Sequence, residues 1–275
     1  MMGERGFTLV EMSVVLVIVG LLVLTLFPAL TALRQANQRS VTQNNLQALM
    51  QAAAAFVQAS GCVPCPTPAA TTGSGFGRVR GDTAAAGCNG CPTPEGIVPF
   101  VSLGISPNLA RDGWGHWFTM RVDPALTVSA LANVIPPTSK CSDADAQANA
   151  ACVSGSSRKG ICQPSLKSSA SATAVQVTMP GGAAQPSAVL FLSHGSHGYG
   201  AFLADASPQQ IKFNNGARLP FPVTPLPNQG RVFSIQNANG LNQFADAPMQ
   251  DNYDDVMLYA SRDALVSMLN NGACN

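Results

Sequence analysis

Charge is scarce in this sequence. Asp, Glu, Lys and Arg supply 11% of its 275 residues, well under the roughly 25% of ordinary soluble domains. Net charge is +1 and the basic side chains are scattered, so the chain lacks the basic footprint that nucleic-acid binding needs. Disorder is not indicated either. Apolar residues make up 46%, and the 25 Gly and 20 Pro stay below the share that marks a low-complexity chain. The length suits one large domain or two small ones, with a loop-rich globular body.

The emptiest stretch for charge lies near the start. From Phe7 to Phe27 the one charged residue in 21 is Glu11, and roughly 20 apolar residues span a bilayer as a helix. A secretory signal peptide fits poorly, because its apolar core is usually about 7–15 residues and no A-x-A site follows here. A plain transmembrane anchor is a second reading. It leaves Glu11 costing about 2.5–3.5 kcal/mol if it sits near the bilayer centre. The third reading is an anchor that later leaves the lipid and packs against copies of itself, where a carboxylate can meet a cation.

The stretch GERGFTLVEMSVVLVIVGLL resembles the processing region of type IV prepilins and of type II secretion pseudopilins. The resemblance implies a leader ending at Gly6, a cut by a dedicated peptidase between Gly6 and Phe7, and methylation of the new Phe7 amine. It also matches Glu11 to the family's glutamate four residues beyond Phe, and Pro28 to a helix-bending proline near the end of the apolar run. The charge physics agrees. The Phe7 amine stays cationic after one methylation, so Glu11 of one subunit can neutralise that amine on a neighbour. Removing one partner of such a buried pair typically costs about 3–5 kcal/mol, which makes Glu11 a register pin. The flanks carry Arg5 offset by Glu4 on one side and Arg34 and Arg39 on the other. The positive-inside rule is therefore nearly silent, and the cleavage motif sets the orientation, with the leader in the cytoplasm.

No Gly or Pro interrupts the chain between Pro28 and Gly61. Leu46, Leu49, Met50, Ala53, Phe56 and Val57 recur at spacings of three and four, the mark of one apolar helical face. This predicts a helix from Thr8 to Ser60, about 80 Å long, kinked at Pro28 by its missing backbone donor. Its second half needs a body against which to bury that face.

Eight cysteines, Cys62, Cys65, Cys88, Cys91, Cys141, Cys152, Cys162 and Cys274, all follow the apolar run. The first four form two C-x-x-C pairs 22 residues apart, a spacing that also suits a zinc knuckle. An anchor that places them outside the cytoplasm favours disulfides, and no βαβ pattern supports a thioredoxin-like redox role. Eight cysteines allow on the order of a hundred pairings. Cys62 with Cys91, or Cys65 with Cys88, closes the loop without strain. Two of Cys141, Cys152 and Cys162 are expected to pair, with the third reaching Cys274.

Five further stretches, CPTP, GIVPFVSLGI, DGWGHWFTMRV, VLFLSHGSHGYGAF and NYDDVMLYASRDAL, resemble in this order a subgroup of large bacterial pilin-like proteins. That resemblance implies a minor pilin or pseudopilin and no catalysis. Asn is common in the subgroup where His197 stands, so the resemblance gives His197 no role. Read for local structure, Trp117–Val122, Val175–Met179, Ala188–Ser193, Arg231–Ile235 and Val256–Tyr259 are strand candidates. Ala188–Ser193 is apolar on both faces and therefore central. Ser261 caps a short helix, Arg262–Leu269, and the four prolines from Pro220 to Pro227 make a stiff connector.

Three constellations invite a chemical reading. Ser193, His194, Ser196 and His197 set hydroxyls beside imidazoles, yet sequence neighbours rarely build a triad. Two histidines three apart on a strand-to-turn segment also lack the helical face that aligns metal ligands. A Gly-rich turn with local hydrogen bonds is the plainer reading. Asp251, Asp254 and Asp255 could take calcium, as some major pseudopilins do near their C-termini, but the EF-hand spacing is absent. A solvated turn, or Asp255 paired with an arginine, is favoured. Trp114, His116 and Trp117 could form a binding surface or core, and core is favoured.

The sequence therefore predicts an α+β fold: a long N-terminal transmembrane and stalk helix packed on an antiparallel β-sheet head. Residues 1–6 form the leader, 7–60 the helix and 61–275 a periplasmic head. The expected role is a structural filament subunit, not an enzyme, with a filament-borne adhesin or DNA-uptake subunit as the alternative. Expected partners are other pilin or pseudopilin subunits, the prepilin peptidase and methyltransferase, an inner-membrane assembly platform, and lipid before assembly. No cofactor is expected beyond the calcium candidate, and no nucleic acid is indicated.

Overall fold

A computed structural model of the chain describes residues 9–60, 62–68, 71, 73–81, 90–127, 175–202, 229–238, 242–250 and 253–269. Gly6 and Phe7 lie outside this set, as do Cys88, Cys141, Cys152, Cys162, Cys274, Asp251 and the proline-rich connector.

The first element, α1, is a single 52-residue helix, Leu9–Ser60. It continues through Pro28 without a break in the helical assignment. Its two halves differ sharply. Leu9, Leu16, Leu24, Phe27, Leu30 and Leu33 are exposed, whereas Leu46, Leu49, Met50, Ala53 and Val57 are buried and Phe56 is half-buried. The predicted apolar face of the second half is the face the head covers. Among the described residues, no helix is long and apolar enough to cross a membrane.

The head is built on a four-stranded sheet ordered β1-β2-β5-β7, antiparallel throughout. These strands are β1 Glu95–Ile97, β2 Thr119–Val122, β5 Val189–Ser193 and β7 Val256–Ala260. A smaller sheet, ordered β4-β3-β6, comprises β3 Val175–Thr178, β4 Ala184–Ser187 and β6 Gln243–Ala245. In it β3 pairs antiparallel with β4 and parallel with β6. Helix α2 is Gln229–Ala238 and helix α3 is Arg262–Leu269.

Strand β5 explains the layering. Its five residues are all buried, and successive side chains point to opposite faces. Val189 and Phe191 join the core under α1, with Leu46, Leu49, Met120 and Val122. Leu190 and Leu192 join a second core, with Val175, Val177 and Phe244 of the small sheet. A strand covered on both faces takes apolar residues on both, as the run Val189–Leu192 does, which is why it reads as central from sequence alone. Ser261 caps α3 as expected, its Oγ accepting from the Ala264 amide at 3.1 Å.

Two expectations are overturned. Arg231–Ile235 is not a strand but lies inside α2. The buried side of α2 includes Ser234 and Asn237, spaced three apart and polar, so a search for apolar periodicity misses the helix. A short run with Val, Phe and Ile is ambiguous between helix and strand. The cysteine pairing also differs: Cys65 bonds to Cys91, with Cα atoms 5.3 Å apart, rather than Cys62 with Cys91 or Cys65 with Cys88. Cys62 is disulfide-bonded as well. Loops of such similar length cost nearly the same entropy to close, so spacing could not choose among these pairings. The tertiary approach of the two segments decides, Thr67 and Ile97 exchanging both backbone hydrogen bonds at 2.9 and 3.0 Å.

Candidate functional site

Four segments far apart in sequence meet at one polar junction: α1 near Thr42, the DGWGHW loop, the turn after β5, and the entry to β7. Asp112 is the first hub. Its side chain opens an Asx turn, Oδ1 accepting from the Trp114 amide at 3.0 Å and the His116 amide at 2.9 Å. Oδ2 accepts from Ser193 Oγ at 2.7 Å. The turn presents Gly113 to the helix, where its amide donates to Thr42 Oγ1 at 2.9 Å. A Cβ at Gly113 would stand 2.1 Å from the Gln38 carbonyl oxygen, so this approach requires glycine. One turn on, Asn45 Nδ2 donates to the carbonyls of Asn108 and Arg111 at 3.3 and 2.8 Å.

Asp254 is the second hub. Its Oδ2 accepts from the Ser196 amide at 2.5 Å, Ser196 Oγ at 2.6 Å and the His197 amide at 3.1 Å, and its Oδ1 meets His197 Nδ1 at 2.9 Å. Burial alone would raise this carboxyl. The bonds from Ser196 and His197 outweigh burial and hold it below the usual carboxylate range. The turn they fix passes Gly195 at φ +59°, where a Cβ would meet the Asp254 carbonyl at 2.3 Å. His197 is half-exposed and stacks on Tyr199, ring centroids 5.8 Å apart.

Between the hubs lies His194, fully buried, its Nε2 sharing a 3.2 Å hydrogen bond with Thr119 Oγ1. Burial is the main cause that lowers its pKa to about 4, so the imidazole is neutral at pH 7. Asp255, beside Asp254, is buried and held by Asn237 Nδ2 at 2.8 Å. Desolvation pushes its carboxyl well above the usual range. The expected solvated turn and Asp255–arginine pair are therefore corrected: both aspartates are buried, and an amide holds Asp255. The polar position that decides the Asp255 environment, Asn237, carries no pattern that singles it out in sequence.

The hydrogen bonds at this junction tie distant segments together. A hydrolytic relay places an imidazole between hydroxyl and carboxylate. Here Ser193 and Ser196 donate straight to Asp112 and Asp254. Both Asp254 oxygens are engaged, and among the described residues no group of three or more His, Cys, Asp or Glu is arranged to hold a metal. Trp117 is core as predicted, stacked on Phe100 at 5.5 Å with Arg111 over its ring at 4.3 Å, while Trp114 is half-exposed.

Against known proteins, residues 1–27 match the family model described as the prokaryotic N-terminal methylation motif. The chain carries the type IV pilin-like signature. No curated protein and no solved structure matches the chain. The pilin-like signature spans Gly6, Phe7 and Glu11 and ends one residue before Pro28. Glu11 stands in the first turn of α1, on its exposed half.

Proposed function

We propose that the chain is a minor pilin or pseudopilin subunit, cut after Gly6, methylated on Phe7, and assembled into a type IV pilus or type II secretion filament. The observation that carries this is a conjunction. A prokaryotic N-terminal methylation motif over residues 1–27 overlaps the start of a 52-residue helix whose first half has exposed, largely apolar described side chains and whose second half packs one face into an α+β head. Read from the full sequence, Phe7–Phe27 has the length and apolarity of a membrane anchor. In this reading residues 1–6 are the cytoplasmic leader, 7–60 the anchor and stalk, and 61–275 a head in the periplasm.

Before assembly the bare half lies in inner-membrane lipid; afterwards it packs against the same segment of neighbouring subunits. Glu11 then neutralises a neighbour's Phe7 amine and sets register. The partners are other pilin-like subunits, the prepilin peptidase and methyltransferase, and an inner-membrane assembly platform. The disulfides agree with a head outside the cytoplasm, and a large, cysteine-stapled head suits a minor subunit. No catalytic role is assigned.

The test is mass spectrometry of the mature protein from native membranes. The expected N-terminal residue is N-methyl-Phe7; a chain beginning at Met1 overturns the reading. Glu11→Ala is expected to insert normally but to be lost from purified filaments, and normal incorporation refutes the pairing.

A further inference from the structure

The polar junction continues past Asp254 into a second, drier cluster that holds α2 to the head. Asn237 is fully buried on α2. It pairs with the backbone of Ala245 as a neighbouring strand would, Oδ1 accepting from the amide at 2.7 Å and Nδ2 donating to the carbonyl at 3.0 Å. This closes the open side of β6, the edge strand of the small sheet. The same Nδ2 donates to Asp255 Oδ2, and Tyr253 Oη donates to the Ala245 carbonyl at 2.7 Å. One amide thus joins α2, β6 and the entry to β7, and its far anchor is a buried carboxyl.

Among the described residues, the groups that act on that carboxyl are acidic or uncharged. Asp254 precedes it, Tyr253 lies two residues back, and Asp246 follows β6 and acts on Tyr253. From α2 the facing group is Asn237, an amide. The histidines of the adjoining turn reach Asp254, not Asp255.

We propose that Asp255 is a proton-operated latch on α2: the neutral acid locks Asn237 against β6 and β7, and its ionisation loosens that junction. Ionisation strengthens one hydrogen bond, from Asn237. It also places a charge in a desolvated site beside ionised Asp254, and these two costs exceed one bond. The direction of the Asp255 shift agrees: burial and Asp254 raise it against the pull of Asn237. The hydrogen bond shown to that carboxyl comes from α2, so the response is expected at the α2 contact. This inference does not rest on the filament reading.

The test is amide hydrogen exchange of the full chain in detergent micelles, between pH 5 and pH 9, corrected for intrinsic rates. In the wild type, exchange of α2 and β6 amides is expected to rise at least tenfold with pH, while β5 stays protected. Asp255→Asn keeps the shape and the neutral form, so its α2 exchange should not change with pH. The same pH response in the variant, or none in the wild type, overturns the proposal. A second measurement needs no variant: the Asp255 side-chain carbon should titrate well above the other aspartates by NMR, and titration in the ordinary carboxylate range overturns it equally.

Discussion

Gly113 and Thr42 join head to stalk through one hydrogen bond, the Gly113 amide to Thr42 Oγ1 at 2.9 Å. Thr42 Oγ1 is itself bound back to the Gln38 carbonyl at 2.8 Å, so it serves both as the helix's own back-bond and as the head's acceptor. Beyond this point one face of α1 is buried against the head; before Gln38 its described side chains are exposed.

Gly113→Ala is expected to open this seam. The new methyl would sit on the Gln38 carbonyl, and helix backbone cannot yield as a flexible side chain can. The loop must back away, losing the Thr42 bond and straining those from Asn45. The loss should be about 2–4 kcal/mol, the range of overpacking plus a broken buried hydrogen bond. Urea denaturation followed by circular dichroism reads it. A midpoint equal to wild type means the loop is not held against α1.

His194 predicts an acid-sensitive head. Its folded pKa of about 4 lies below the unfolded value of about 6.5. Between those pH values the unfolded chain binds a proton that the native state does not, so stability falls as pH drops from about 6.5 to 4, by up to about 3 kcal/mol. Asp255 acts with the opposite sign: its raised pKa gives stability at low pH that is lost as pH rises above the usual carboxylate range. The two slopes overlap. The His194 slope should therefore stand out in Asp255→Asn and vanish in the Asp255→Asn, His194→Gln double variant. An acid slope that survives the double variant removes His194 as its source.

The turn after β5 should depend on Asp254 more than on calcium. Asp254→Ala removes the acceptor of the Ser196 and His197 amides; hydrogen bonds to a charged group contribute about 1.5–3 kcal/mol, and the loss should lie at the low end because water can reach both residues. Asp254→Asn retains one carbonyl oxygen and should lose less. Added calcium should leave the thermal midpoint unchanged, because both Asp254 oxygens are already engaged. A calcium-induced rise abolished in Asp254→Ala would instead establish the metal reading of the NYDD segment.

What sequence could reveal follows from where periodicity coincides with burial. The stalk face from Leu46 to Val57, the doubly covered β5 and the Ser261-capped α3 are all written in apolar spacing or cap chemistry, and each stands where expected. β1, β4 and β6 are three or four residues long and contain Glu95, Pro186 and Gln243. Backbone pairing with neighbours makes them strands, and no local propensity announces it. Likewise α2 buries Ser234 and Asn237, so its inward face looks like an outward one. The DGWGHW and SHGSHG motifs stood out as chemistry, but their partners, Thr42 on the stalk and Asp254 across the sheet, are chosen by tertiary approach.

The Cys65–Cys91 bridge makes the last prediction. Between these cysteines, 26 positions apart, the chain carries Phe76, whose ring packs edge-on against Phe100 at 5.6 Å and Trp117 at 5.5 Å. The bridge restricts the loop that carries Phe76 in the unfolded chain, and closing a loop of this size is worth about 2–4 kcal/mol. In a Cys65→Ser, Cys91→Ser variant the cluster must hold the loop alone. The urea midpoint, read by tryptophan fluorescence in a Trp114→Phe background so that Trp117 alone reports, should fall accordingly, while the native spectrum stays blue-shifted because Trp117 is still enclosed by the core under α1. Non-reducing peptide mapping of the wild type should recover a Cys65–Cys91 linked peptide pair. Free thiols that bind zinc at these positions would show that the bridge does not form.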